Sequence, residues 1–111
     1  MILNIKTAED KKVELEAQAK IELKAAKGLA LNSITVTVNG NTFDGNETAR
    51  GNMISAILSA DLIGKTEETW KLADNSTALV TLVELRQALA IAIIEVGRIV
   101  NCTTIGELYN D

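Results

Sequence analysis

The stretch Trp70-Lys71-Leu72-Ala73-Asp74-Asn75-Ser76 decides the fold, together with the long apolar pattern that follows it. Its middle is a run of turn-forming residues, and strand-forming residues lie on both sides, which is typical of a β-hairpin. With Asn75-Ser76 as the turn, Leu72 faces Leu79, so two apolar side chains pair across the strands. The sequence therefore predicts a hairpin over residues 69–80 that leads into a buried helix.

The helix after this hairpin has the sharpest start signal in the chain. Thr81 and Glu84 have the spacing of a capping box, with the threonine as N-cap. A 3-4-3-4 apolar spacing then predicts one continuous seam along a helix at residues 82–101: Leu82, Leu85, Leu89, Ala92, Val96 and Ile99. Ile91, Ile93 and Ile94 add apolar surface outside this seam. Such a helix is either the centre of the fold or partly an oligomer interface.

A second hairpin is predicted upstream, over residues 34–43. Residues 34–38 alternate apolar and polar and are rich in β-branched side chains, and Asn39-Gly40 supplies the two positive-φ positions of a type I′ turn. This turn pairs position 38 with 41 and position 36 with 43. The expected apolar face consists of Ile34, Val36, Val38 and Phe43.

The first helix is predicted over residues 7–27, with Gly28 as its C-cap. Residues 13–25 alternate apolar and polar with the period of a strand, but Ala, Glu and Lys favour a helix, and a strand of that length is unusual. On the helix, Val13, Ala17, Ile21 and Ala25 form one apolar stripe, and Leu15, Ala19 and Leu23 form another. A helix with two stripes is expected to contact its own domain on one side and a second chain on the other.

Another helix is predicted over residues 46–63, with Asn46 or Asp44 as its cap and Gly64 as its end. Its apolar stripe consists of Met53, Ile57 and Ala60, broadened by Ile54 and Leu58. Assembled, the elements predict one α+β domain over residues 1–111: a leader segment at 1–6, then helix, hairpin, helix, hairpin and long helix. The hairpins are expected to share a small antiparallel sheet packed on the helices, and residues 102–111 to form a weak, fraying turn.

Composition argues against several classes of function. The net charge of −4 and the scattered basic residues argue against nucleic acid as a partner. The apolar runs are too short to span a membrane, and residues 1–6 do not form a signal peptide. Without histidine, the chain cannot form His-dependent catalytic triads or ordinary zinc sites, and it has no phosphate-binding loop motif. We therefore expect no enzymatic activity, with no catalytic, cofactor-binding or metal-ligating residues and no cofactor.

The remaining polar candidates each have a structural reading. The segment Asp44-Gly45-Asn46-Glu47 is either a calcium loop or a turn that caps a helix, and the second reading is favoured because the closing Glu of such a loop is absent. Asp61 with the acidic pair at 67–68 is read as a solvated loop, and Cys102 as a buried thiol. Trp70 is a binding aromatic or core filler, with core filler favoured. Asp44 and Arg50 are expected to form a salt bridge across the helix start.

Two segments carry a resemblance to a known family. The first runs from Phe43-Asp44 through Arg50 and Asn52-Met53 to Ala56-Ile57; the second is the opening stretch with Val80-Thr81-Leu82 and Leu85. Together they resemble an uncharacterised domain family of phages and prophages, found at the ends of tail-fibre and tail-tip proteins or encoded beside them. The family-motif positions, expected to be structural, are Phe43, Asp44, Arg50, Trp70, Ala73, Asp74 and Asn75. Family members often carry histidines on the last helix, and no such role transfers to this chain.

The resemblance implies a setting rather than a reaction. The leading hypothesis is a non-enzymatic structural or assembly protein of a phage or prophage tail that acts by protein–protein contacts. Its partners would be other tail proteins or further copies of itself, and its location the host bacterial cytoplasm during assembly or the virion tail. The alternative is a small prophage-encoded regulatory or host-modulating binding module. The face expected to meet a partner or form an oligomer comprises Leu15, Ala19, Leu23, Ile91 and Ile94.

Overall fold

The structure is a computed structural model that describes residues 8–109. The elements follow one another as α1 (Ala8–Asn32), β1 (Thr35–Val38), β2 (Asn41–Asp44), α2 (Glu47–Ile63), β3 (Glu67–Lys71), β4 (Thr77–Thr81), α3 (Leu82–Asn101) and α4 (Ile105–Leu108). This is the α+β order that the sequence predicts, with one additional short helix at the end. The predicted leader at residues 1–6 lies outside the described residues.

The first hairpin forms in the predicted register. Asn39 and Gly40 have φ angles of 49° and 79°, as a type I′ turn requires. Val38 pairs with Asn41 and Val36 pairs with Phe43. All four residues of the predicted apolar face are buried, and Phe43 is completely inaccessible. The pattern and the turn thus specify the same pairing.

The second hairpin forms in a different register. Leu79 faces Thr69 instead of Leu72, because the loop contains three residues rather than two. The Asn75 backbone N–H donates to the Leu72 carbonyl at 2.9 Å, and Asn75 has a φ angle of 69°. A turn followed by a left-handed residue is a common three-residue hairpin loop. In this register Leu72 is buried and Leu79 is 66% exposed.

The two hairpins form separate two-stranded sheets, so the expectation of one shared sheet is wrong. A backbone hydrogen bond links them, from the Ala73 N–H to the Thr42 carbonyl at 2.9 Å. Ala73 lies in the loop beyond the end of β3, so the hairpins meet at this loop and do not pair along their strands.

Helix α3 is the centre of the fold. Its N-cap forms as predicted, since the Thr81 hydroxyl accepts from the Glu84 N–H at 3.1 Å and lies at the same distance from the Glu84 carboxylate. The predicted seam faces inward, with Leu85 and Ala92 completely buried. The core joins this seam to both hairpins, α2 and the chain end: Ile34, Val36, Val38, Phe43, Met53, Ala60, Leu72, Val80, Leu82, Leu85, Ala88, Ala92, Ile99, Cys102 and Leu108.

Helix α2 begins and ends at the predicted residues. The Asn46 side chain accepts from the Ala49 N–H at 2.9 Å, and Gly64 adopts the left-handed conformation that ends the helix, with a φ angle of 71°. Met53 and Ala60 face the core. Ile54 and Leu58 do not broaden that stripe, because they are 53% and 59% exposed.

Helix α1 continues through Gly28, so the predicted C-cap there is wrong. Leu31, three residues further on, packs against the core together with Ala26 and Ala30. This packing outweighs the cost of a glycine inside a helix, which is about 1 kcal/mol. The helix ends at Asn32, after which the Ser33 hydroxyl donates to the Leu29 carbonyl at 2.8 Å.

The first part of α1 projects from the body of the protein. Every residue from 8 to 22 is exposed, and the molecule measures 77 × 25 × 22 Å. Only the last part of the helix packs on α3 and α4, where the Lys27 ammonium also donates to the Val100 carbonyl at 2.8 Å.

The chain end is docked rather than frayed as far as residue 109. Leu108 is 2% exposed, and the Arg98 guanidinium donates to its carbonyl at 3.0 Å. The Glu107 carboxylate accepts from both the N–H and the hydroxyl of Thr103 at 2.9 Å. These contacts lower the pKa of Glu107, with the Thr103 backbone N–H as the largest cause.

Candidate functional site

Both segments of the family resemblance contribute to one cleft. It has a volume of about 400 Å³ and is lined by Asp44, Ala49, Asn52, Ser55, Trp70 and Lys71. Strand β2 ends at Asp44, helix α2 supplies the three residues of its exposed face, and β3 supplies Trp70 and Lys71. The fold therefore brings together residues that are more than 20 positions apart in sequence.

Trp70 packs against the core, as a core-filling side chain does, and also lines the cleft. It is half-buried. Its strand alternates, so that even-numbered positions face inward while Thr69 and Lys71 face outward. A tryptophan at this position fills space under the cleft and still presents part of its ring to solvent.

The predicted ion pair between Asp44 and Arg50 is not formed. The Arg50 guanidinium instead donates to the carbonyl of Gly45 at 2.6 Å, which joins α2 to the end of β2. Asp44 is exposed at the rim of the cleft. A charge-assisted bond to a backbone carbonyl fixes the loop without using the acidic side chain.

Gly45 is a structural residue that the sequence reasoning missed. Its N–H donates to the Ile34 carbonyl at 2.7 Å, and its backbone lies against α3. A Cβ atom at this position would lie 2.6 Å from Ile34 Cγ2 and 3.1 Å from Ala92 Cβ. The available signal was its position directly after Phe43-Asp44, but nothing local indicates the close approach of a distant helix.

The loop of the second hairpin holds the other motif residues. The Asp74 carboxylate accepts from the Ser76 hydroxyl at 2.5 Å and from the Ser76 N–H at 2.9 Å. These two bonds, the hydroxyl first, lower the pKa of Asp74 below its usual value. Together with Ala73 and the left-handed Asn75, this arrangement fixes the shape of the loop.

A groove of about 530 Å³ separates this loop from the turn of the first hairpin. It is lined by Gly40, Asn41, Thr42, Leu72, Ala73, Asp74 and Ser76. Two of the lining residues, Ala73 and Thr42, are joined by the backbone hydrogen bond between the hairpins. The polar residues that line the groove lie in or beside the turns of the two hairpins. The shape of the groove depends on how the two hairpins are placed relative to each other.

The expected partner residues lie on two helices, α1 and α3. Leu15 is 71% exposed on the projecting part of α1, whereas Leu23 is half-buried and, with Ala19, lines a cleft against residues 103–105. Ile91 and Ile94 are 44% and 72% exposed on α3. The structure thus separates these residues into an α1 group and an α3 group.

The other polar candidates have surface partners. Asp61 pairs with Arg86, and Glu68 pairs with Lys65 at 2.9 Å. Within residues 8–109, no group of three or more acidic or cysteine side chains converges as it would around a metal ion. Cys102 is buried as predicted, and its thiol contacts the Arg98 carbonyl at 3.1 Å.

Comparison with known domain families identifies one family for this chain. Residues 7–97 match the family described as a domain of unknown function, DUF4376. The chain belongs to the DUF4376 family. Comparisons with curated proteins and with solved structures give no significant match.

The DUF4376 match includes α1, both hairpins, α2 and most of α3, and it ends before α4. It therefore contains the cleft, the groove between the hairpins and the whole projecting helix. None of the helices in the described part of this DUF4376 chain has both the length and the apolar character needed to cross a membrane.

Proposed function

We propose that this DUF4376 chain is a non-enzymatic structural or assembly protein of a phage or prophage tail. It acts through protein–protein contacts with other tail proteins or with itself, in the host cytoplasm during assembly or in the finished tail. The phage setting is supported by the sequence resemblance of the two motif segments. The contact role is supported by the projecting part of α1.

The projecting helix is the observation that carries the proposal. Val13, Leu15 and Ile21 are between 60% and 71% exposed, on a segment in which every residue from 8 to 22 faces solvent. Burying one such side chain against a partner stabilises a complex by on the order of 1–2 kcal/mol. An exposed helix with large apolar side chains is a suitable element for docking on another chain.

The motif residues support the same role. Phe43 fills the core, Arg50 holds the start of α2, and Asp74 fixes the hairpin loop through Ser76. Each of these contacts maintains the relative positions of the hairpins and α2. A body built in this way is a rigid base from which α1 projects.

The proposal is tested in a lysogen that encodes the chain. After induction, virions and tail assembly intermediates are purified, and the protein is sought by mass spectrometry and by crosslinking to identified tail proteins. We expect it in virions or in tail intermediates, crosslinked to a tail component. Its absence from both, with normal tails after deletion of the gene, would overturn the proposal. If it were bound to a host protein instead, the regulatory-module hypothesis would replace it.

Two matched variants separate contact from folding. Val13→Asp places a charge on projecting α1, and Val83→Asp places the same charge on α3, where the valine is similarly exposed at 64% against 60%. We expect Val13→Asp to abolish the crosslink to the tail component and Val83→Asp to preserve it. Equal losses in both variants would show that the contact does not run through α1.

A further inference from the structure

The cleft beside Trp70 is lined by polar side chains that the protein itself does not use. Asp44, Asn52, Ser55 and Lys71 contribute a carboxylate, an amide, a hydroxyl and an ammonium group, and all four residues are exposed. Within the described range 8–109, none of these four side chains makes a hydrogen bond or an ion pair. Their donors and acceptors are therefore open to a molecule that enters the cleft.

The indole of Trp70 gives the same cleft an aromatic wall. The side chain packs against the core, which holds the ring in place, and it also borders the cleft. Its N–H has no hydrogen-bond partner in the described part of the chain and is not a buried atom, so this donor reaches solvent as well. A fixed aromatic surface beside a few open polar groups is typical of a site for a small molecule.

The two charges in the cleft restrict the kind of ligand. Asp44 and Lys71 carry opposite charges, so an anion would be attracted by the lysine but repelled by the aspartate, and a cation the reverse. A neutral ligand that both donates and accepts hydrogen bonds can pair with both residues. A hydroxyl group meets this requirement, since it donates one hydrogen bond and accepts up to two.

We propose that this cleft binds a neutral saccharide. The C–H face of a pyranose ring packs on the indole of Trp70, and the hydroxyls along the ring edge bind Asp44, Asn52 and Lys71. The cleft volume of about 400 Å³ lies within the usual range for small-molecule sites, roughly 300–1,000 Å³, and it fits a mono- or disaccharide. This site is additional to the tail role proposed above and does not rest on it. Saccharide binding is measured on the purified chain and the tail role on virions, so either can fail alone.

The primary test uses tryptophan fluorescence, because Trp70 is the only tryptophan in the chain and therefore reports on this cleft. The full-length chain is titrated with glucose, galactose, mannose, N-acetylglucosamine, lactose and maltose, with N-acetyltryptophanamide as the reference for effects on free indole. We expect a saturable change with at least one of them and, for so small a ligand in an open cleft, a dissociation constant on the order of 1 mM. The amino and uronate analogues of that sugar, which carry a charge, should bind at least about threefold more weakly. Failure of every neutral probe at concentrations well above that constant, or tighter binding of a charged analogue, would overturn the proposal.

Two variants test the polar contacts without disturbing the fold. Asp44→Ala and Asn52→Ala remove exposed side chains that have no hydrogen bond within the described residues. We expect the dissociation constant to rise about tenfold for Asp44→Ala, which loses a charge-assisted bond, and at least about threefold for Asn52→Ala. The controls Asp61→Ala and Ser59→Ala change exposed residues of α2 outside the cleft and should leave binding unchanged. Unaltered affinity in both cleft variants would refute the assignment of these contacts.

NMR spectroscopy locates the bound sugar and tests the aromatic contact. In ¹H–¹⁵N spectra of the original chain, we expect shift changes concentrated at the cleft residues, and changes centred on the groove at Asp74 instead would overturn the proposal. Trp70→Leu keeps an apolar side chain against the core but removes the flat ring. In this variant, binding followed by the same shifts should weaken at least about threefold. Equal binding by a Trp70→Leu protein with unchanged helix content would show that the ring does not contact the sugar.

Discussion

Replacing Gly45 with alanine tests the packing between the first hairpin and α3. The added methyl carbon would lie 2.6 Å from Ile34 Cγ2 and 3.1 Å from Ala92 Cβ, and both neighbours belong to the buried core. One extra carbon forced into a packed core costs typically 1–3 kcal/mol. We expect the free energy of unfolding to fall by about that amount, measured by urea titration. For a chain of this size, the melting temperature falls by roughly 4–8 °C per kcal/mol.

The matched control is Gly51→Ala in α2, where the added carbon would have no atom within 4 Å other than those of adjacent residues and of the helix's own backbone. Because alanine favours a helix over glycine by about 1 kcal/mol, this change should raise stability. A second test combines Gly45→Ala with Ile34→Leu, which removes the clashing Cγ2 atom. The two changes together should cost at least about 0.5 kcal/mol less than the sum of the single changes. A Gly45→Ala protein as stable as the original would refute the close packing described for this loop.

Three further predictions concern single residues. Gly28→Ala should stabilise the protein by up to about 1 kcal/mol in urea unfolding, because α1 continues through this position; destabilisation would indicate a helix end there. Thr81→Ala should cost about 1 kcal/mol in the same assay through loss of the α3 N-cap, and no loss would refute that role. Ser76→Ala should raise the pKa of Asp74 toward its usual 3.8 in an NMR titration. Since the folded pKa is lowered, its stabilising effect is present above pH 3.8 and is lost as pH falls through the folded value.

Local chemistry accounts for the parts of the fold that the sequence predicts well. Asn39-Gly40 has both the residues and the spacing of a type I′ turn, so the turn and the apolar alternation specify one register. Thr81 caps α3 as predicted, Asn46 is the one of the two predicted candidates that caps α2, and Gly64 ends α2. In each case the determining residues lie within a few positions of one another, so no knowledge of the tertiary structure is needed.

The second hairpin shows where such local reasoning fails. Asn75-Ser76 was expected to form a two-residue turn, and that choice placed Leu72 opposite Leu79. The structure instead uses Asn75 as the left-handed residue of a three-residue loop, and the Ser76 hydroxyl and N–H bind Asp74. Both loops are compatible with the same residues. The difference is that the observed register buries Leu72 and Val80 on one face.

Residues far apart in sequence account for the remaining differences. Gly28 marks no helix end, because Ala30 and Leu31 pack on a core built mainly by later segments. Arg50 binds the Gly45 carbonyl rather than Asp44 because the chain between β2 and α2 presents its backbone to the guanidinium. The cleft beside Trp70 was not predicted either, since it requires the relative positions of β2, α2 and β3. Pattern reasoning identified the elements but not the surfaces between them.

The two apolar stripes of α1 show the same limit, because the sequence alone does not tell which residues of each stripe pack on the domain. The sequence indicated two apolar stripes, and the stripe of Leu15, Ala19 and Leu23 was expected to meet a partner. Because Leu23 is half-buried beside α4, that stripe continues onto the protein's own body. The stripe through Val13 and Ile21 lies on another side of the helix, and these two side chains are 60% and 64% exposed. Burial therefore assigns Leu23 to the domain, whereas Leu15, which is 71% exposed, is as open to a partner as Val13 and Ile21 are.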